Sequence, residues 1–205
     1  MDATNDSLPT VTSTPMVIDG LMPEFDATRI EHRVLDATVS ETYRAVLNAD
    51  FIRAWKDSTA MRALFAARGA AEEIYSRVRG RAFEPPPDLP SMRLADMGSH
   101  GEYVRLGEDP PREIAFGMIG RFWSGETAWN TIDAADFAGF AEPGLAKIAC
   151  NFSLRPYGAQ RTLLSYEART KATDEDSRRQ FTRYWKAVSP GVGIVMRTML
   201  GVVDP

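Results

Sequence analysis

Beyond residue 90 the chain alternates apolar and polar positions in short runs, and it closes on an apolar stripe with helical spacing. In REIAFGMIGRFW (112–123), Ile114, Phe116, Met118, Gly120 and Phe122 share one face. Ala115, Gly117, Ile119, Arg121 and Trp123 share the other. In LAKIACNFSLRP (145–156), Ile148, Cys150, Phe152 and Leu154 oppose Lys147, Asn151, Ser153 and Arg155. In QRTLLSYEARTK (160–171), Leu164, Tyr166 and Ala168 oppose Ser165, Glu167, Arg169 and Lys171. A period of two predicts strands, and alternation this regular predicts one buried and one wet face. SMRLADMG and GEYVRLGE read as two further short strands around a Gly-Ser-His-Gly turn at 98–101. Gly117 and Gly120, on opposite faces of one strand, predict bending or close backbone approach.

From Phe181 the spacing changes. Phe181, Trp185, Val188, Val192, Val195 and Met199 recur every three or four residues, an apolar stripe about 27 Å long at the rise of an α-helix. Thr173 and the acidic run 174–176 supply its start, and Pro190 predicts a kink. Upstream, Ile30, His32 and Val34 alternate with Glu31, Arg33 and Leu35 as a first strand, followed by a short helix from Ser40. A second helical pattern begins at Asp57 or Ser58 and runs to Gly80. EPPPDLP (84–90) then forbids helix or central strand. Residues 1–24, rich in Ser, Thr, Asp and Pro, have apolar side chains too scattered to form a face and read as a disordered tail. Residues 25–205 read as one domain. Strand, two helices, a meander of strands and a long last helix give an α+β layered fold, with that helix packed across a curved antiparallel sheet.

Composition narrows the function classes. A formal net charge of −4 argues against a nucleic-acid binder. A single cysteine excludes an intrachain disulfide, and no apolar run is long enough for a membrane span. The N-terminus lacks the pattern of a secretory signal, so a cytoplasmic protein is expected. Two histidines and one cysteine, far apart in sequence, predict no metal site. GlyValGly at 191–193 follows no strand and lacks the third glycine of a dinucleotide-binding turn; no cofactor is expected.

Four blocks carry a resemblance: LGEDPPREIAFGMIGRFW (106–123), DFAGFAEPGLAKIA (136–149), YEARTKATDEDSRRQFTRYW (166–185) and MRTML (196–200). Through them the chain resembles a bacterial branch of the START-like superfamily, which includes polyketide cyclases and lipid carriers. The resemblance implies a helix-grip fold with an apolar cavity between sheet and terminal helix. It carries over no catalytic motif, because none is shared across the superfamily. Under this fold the expected cavity lining is His32, Phe116, Met118, Phe122, Ile148, Phe152, Leu164, Tyr166, Phe181, Trp185, Val188 and Met199. Three functions follow in order of preference: a carrier of a lipid, polyketide or aromatic metabolite, a cyclase or dehydratase using His32, Tyr166 or Arg121, and an interaction module that could homodimerise.

Overall fold

The structure, a computed structural model, describes residues 14–59, 62–63, 66, 91–123 and 128–205. Most of the second expected helix and the Pro-rich segment therefore lie outside the described residues. In chain order the elements are α1 (Val17–Leu21), β1 (Ala27–Leu35), α2 (Val39–Asn48), α3 (Phe51–Asp57), β2 (His100–Gly101), β3 (Val104–Asp109) and β4 (Glu113–Arg121). They continue as β5 (Ala128–Asn130), β6 (Ile132–Asp133), α4 (Ala134–Phe137), β7 (Ala146–Pro156), β8 (Thr162–Ala172) and α5 (Glu175–Gly201). The main sheet is antiparallel, in the order β1-β8-β7-β4-β3, with β5 also beside β4. Helix α5 crosses its concave face against β1 and β8. This is the helix-grip fold.

The strand registers confirm the alternation. Ile114, Phe116, Met118 and Gly120 of β4 stand opposite Phe152, Cys150, Ile148 and Ala146 of β7. Phe152, Cys150 and Ile148 in turn face Tyr166, Ala168 and Thr170 of β8. The aromatic rings of this inner face stack: Phe152 lies 4.5 Å from Tyr166 and 5.5 Å from Phe51, and Phe116 lies 6.2 Å from both Phe152 and Tyr166. Ring pairs at these separations add to the burial of their area.

Three sequence expectations change. Residues 94–96, expected in a strand, form a turn of 3-10 helix. His100 and Gly101, expected as a turn, pair instead with Asp133 and Ile132. The third change concerns the tail. Residues 14–24 are packed, with Ile18 and Met22 buried against Val104, Ile119, Phe137 and Ala149 on the convex face. That face is therefore covered where it was expected to be wet. Gly117 allows the cover to sit close: a Cβ there would lie 2.7 Å from Leu106 Cδ1 and 2.9 Å from both Phe137 Cε2 and the Ile148 carbonyl.

Polar groups fasten this outer layer at both ends. The fully buried Glu113 carboxylate accepts the backbone N–H groups of Val17 (2.5 Å) and Ile18 (3.1 Å), and Asn151 Nδ2 at 2.6 Å. Arg169 donates to the carbonyls of Ile18 and Met22 and to Asp19, while its Nε reaches Glu167 at 2.6 Å. The Glu167–Arg169 pair, expected on a solvated face, is thus roofed by α1.

Helix α5 starts at Asp174, whose side chain accepts the N–H of Ser177 at 2.9 Å and of Gly144 at 2.6 Å. These donors hold the Asp174 carboxyl well below the usual carboxylate range. A depressed folded value means the stabilisation is complete above the unfolded carboxylate value and is lost as pH falls toward the folded one. We expect Asp174→Asn to lower the thermal midpoint at neutral pH, with the gap to the wild type narrowing below about pH 4. Scanning calorimetry across pH checks this, and a constant gap would be the contrary result. Removing Glu113 leaves two buried donors and one part-buried donor without this acceptor, so Glu113→Ala is expected to cost about 3 kcal/mol in urea unfolding.

Candidate functional site

Helix α5 is uneven along its length. At its N-terminal end Phe181 packs with Phe122, 5.9 Å between ring centroids, and Tyr184, Trp185, Trp123 and Trp129 gather around them. At its C-terminal end Met196, Met199 and Leu200 are buried in the main core with Phe116, Phe152, Leu164 and Tyr166. Between these ends the sequence is Ser189-Pro190-Gly191-Val192-Gly193. Two glycines and a proline in a helix interior cost stability, about 1 kcal/mol for each glycine and about 3 kcal/mol for the proline relative to alanine. The helix nonetheless runs unbroken from Glu175 to Gly201, with Pro190 on its exposed side. The side chains that reach toward the sheet here are those of Val188 and Val192, smaller than the aromatic rings and methionines at the two ends.

The floor opposite reflects this. Met118, Ile148 and Ala168 point to the inner face, yet each is only partly buried, unlike Phe116, Phe152 and Leu164 around them. On the helix, Trp185, Val188 and Val192 are also partly buried. The expected lining residues therefore fall into three sets. Phe116, Phe152, Leu164, Tyr166 and Met199 fill the main core, and Phe122 and Phe181 fill the second cluster. Met118, Ile148, Trp185 and Val188 lie between them, with Ala168 and Val192, which the sequence placed on the inner strand face and the helix stripe but not in the expected lining.

His32 departs from the expectation. Its ring is exposed, with Nδ1 2.7 Å from Ser165 Oγ on the outer face. The register of β1 explains it: Ile30, His32 and Val34 are exposed, and Arg29, Glu31 and Arg33 turn inward toward α5. Glu31 Oε1 accepts Arg29 Nε at 2.8 Å and Nη2 at 2.5 Å, and Arg197 Nη1 at 2.9 Å. Burial works to raise the Glu31 carboxyl, but the two guanidinium groups prevail and hold it below its ordinary value. Gly193 makes this possible, because a Cβ there would lie 2.5 Å from Arg29 Nη2 and 3.0 Å from Glu31 Oε1. Arg33 Nη1 caps the helix end by donating to the carbonyls of Leu200, Gly201 and Val203 at 2.8–3.1 Å. The Leu200 and Gly201 carbonyls, in the last turn, have no intrahelical donors and carry the negative end of the helix dipole.

Ionisable chemistry inside the core is muted. Tyr166 O–H donates to Cys150 Sγ at 3.7 Å, and both are buried. Burial pushes the Cys150 thiol up to about 12 and the Tyr166 phenol well above its usual value. Arg121, the remaining acid–base candidate, is exposed. A separate cleft of about 860 Å³ opens beside α2, α3 and the end of α5. Arg33, Arg53 and Arg93 line it with Asp50, Asp57 and Asp204. Arg33 is occupied by the helix end and Arg53 lies 3.5 Å from Asp57. Asp50 accepts the N–H groups of Ile52, Arg53 and Met92. These groups hold the framework together. Among the described residues no group of three or more His, Cys, Asp or Glu could hold a metal ion, and no helix is long and apolar enough to cross a membrane.

No family model matches the chain, and no curated protein matches it. Solved structures similar to it include CalU16 from Micromonospora echinospora, at 15% identity and a TM-score of 0.32, covering 87% of this chain and 76% of that one. Protein CV1439 from Chromobacterium violaceum has 15% identity and a TM-score of 0.32, covering 87% and 97% of the two chains. Truncated norcoclaurine synthase from Thalictrum flavum has 11% identity and a TM-score of 0.35, covering 87% and 96%.

The thiol's position gives a direct check. Cys150 is expected to resist iodoacetamide at pH 8 in the folded protein and to react fully in denaturant, followed by mass spectrometry. Rapid native labelling would contradict the packing described.

Proposed function

We propose that this START-like, helix-grip chain binds and carries a hydrophobic small molecule between the middle of α5 and the sheet. One observation carries the reading. The helix carries bulky side chains at both ends and the smaller Val188 and Val192 in its middle, and the inner floor at Met118, Ile148 and Ala168 is only partly buried. An apolar ligand seated there would remove that surface from water, at about 25 cal/mol per Å² buried. The two packed clusters on either side would fix the length of the ligand, and the indole of Trp185 would form one wall.

A cyclase or dehydratase working in the same groove would need an acid or base aimed into it. His32 and Arg121 are exposed, the Tyr166 hydroxyl is bonded to Cys150, and the inward Glu31 carboxylate is held by Arg29 and Arg197. Carriage is therefore favoured over turnover. The ligand identity is left to the class: a lipid, polyketide or aromatic metabolite.

Filling the floor tests the proposal. Ile148→Trp is expected to weaken binding of the neutral dye N-phenyl-1-naphthylamine at least tenfold, read by dye fluorescence, with the circular dichroism of the wild type. Ile30→Trp, on the exposed outer face, is expected to leave the affinity unchanged. Equal dye affinity in wild type and Ile148→Trp would overturn the groove. So would a wild type that binds no dye and carries no apolar molecule in native mass spectrometry.

A further inference from the structure

We infer that the ligand is an amphipathic acid, with its carboxylate received by Arg29 and its apolar body lying over Ala168, Ile148 and Met118. The inference rests on the carrier reading and adds to it the chemical class of the ligand.

Arg29 stands directly across from Ala168, Ala168 pairs with Cys150, and the adjacent inner row runs from Thr170 to Ile148 and Met118. The partly open floor therefore ends, at the β1 edge, on a guanidinium group. Ala168, the floor residue paired with Arg29, carries only a methyl group, and Gly193 lies against Arg29 itself. Ser189, one turn before Gly193 on α5, is also small and partly buried.

Charge supplies the second step. Arg29 and Arg197 converge on a single carboxylate oxygen, Glu31 Oε1, so the cluster carries one positive charge in excess. From β8 the facing inner residues, Tyr166, Ala168 and Thr170, bring no carboxylate. Arg33, the next inward residue on β1, adds a further positive charge and is itself spent on helix carbonyls. Arg29 Nη1 makes no bond among the described residues. Its side chain is 36% exposed, whereas that of Glu31 is 14% exposed. A carboxylate arriving there would keep part of its hydration and gain charge-assisted hydrogen bonds, about twice as strong as neutral ones. A neutral head group would gain less, and a cation would be repelled. The geometry thus favours an acid at the rim and a hydrocarbon or aromatic body inside.

The test compares dodecanoic acid with 1-dodecanol, which share a chain length and differ in the head. Each competes with N-phenyl-1-naphthylamine for the full chain below micelle-forming concentrations. The wild type is expected to prefer the acid at least tenfold. Arg29→Gln should bring the two within twofold by weakening the acid alone, and Arg29→Lys should restore part of the preference. Equal binding of acid and alcohol to the wild type would overturn the acid proposal while leaving the groove intact. So would a preference that survives Arg29→Gln. If neither compound displaces the dye, the groove reading falls along with the acid. Arg197→Gln serves as a second variant should Arg29→Gln fold poorly: it also lowers the cluster's charge, and it should reduce the acid preference without altering dodecanol. An unchanged preference there counts against the proposal.

Discussion

Helix α5 can lie on this sheet only because the charges beneath it are matched. Three inward residues of β1 are charged: Arg29, Glu31 and Arg33. Burying a charge is costly unless it is paired and hydrogen-bonded. Here the pairing comes from three directions. Glu31 is met by Arg29 from its own strand and by Arg197 from the helix, and Arg33 meets the open carbonyls at the helix end. Gly193 lets the backbone close over the pair. The angle and depth of the helix follow from these contacts, and the depth decides how much of the floor stays open.

A second constraint acts from the opposite face. Glu113 is buried, and its oxygens are satisfied by the first N–H groups of α1 and by Asn151. A short helix would be marginal alone, since nucleation is unfavourable and few bonds repay it. The carboxylate and the Arg169 guanidinium supply the missing partners at its two ends. With α1 in place, Ile18 and Met22 complete an apolar layer outside β4 and β7. The sheet therefore has two cores, and its inner face does not have to carry the whole hydrophobic stabilisation. That division allows part of the inner floor to remain uncovered.

How far the sequence disclosed this depended on whether the signal was periodic. The strands β4, β7 and β8 were legible because their alternation is strict, and so was α5, because its stripe runs from Phe181 to Met199. The inner positions of Phe116, Phe152 and Tyr166 followed from the same periods. The facing of β1 did not. Its apolar residues Ile30 and Val34 mark the outer face and its charged residues the inner one, so a rule that sends apolar residues inward places His32 in the interior. Only the later pairing with Arg197 and the helix carbonyls makes the inward charges tolerable, and such long-range partners leave no local pattern. Segment 17–21 was hidden for a related reason: two buried residues and a distant carboxylate do not make a periodic run. One signal was present and could have been used. Lys147, Asn151 and Ser153 share their strand face with Ala149, and a small apolar residue there is compatible with an overlying layer.

The small middle of α5 is the feature that most resists a purely structural explanation. A helix intended only to seal the sheet would carry Leu or Met between Trp185 and Met196, with gains in both propensity and burial. Ser189, Pro190, Gly191 and Gly193 forgo both. Gly193 has a structural duty, since it admits the Arg29–Glu31 pair. Under the carrier proposal, the small Ser189 beside Val188 and Val192 leaves room for a ligand above Ala168 and Ile148. Sites that break a local rule without a local benefit are where function is most often located. Gly193 brings the charged residues of β1 close to the helix, while Val192, packed against the main core, is the side chain beside it.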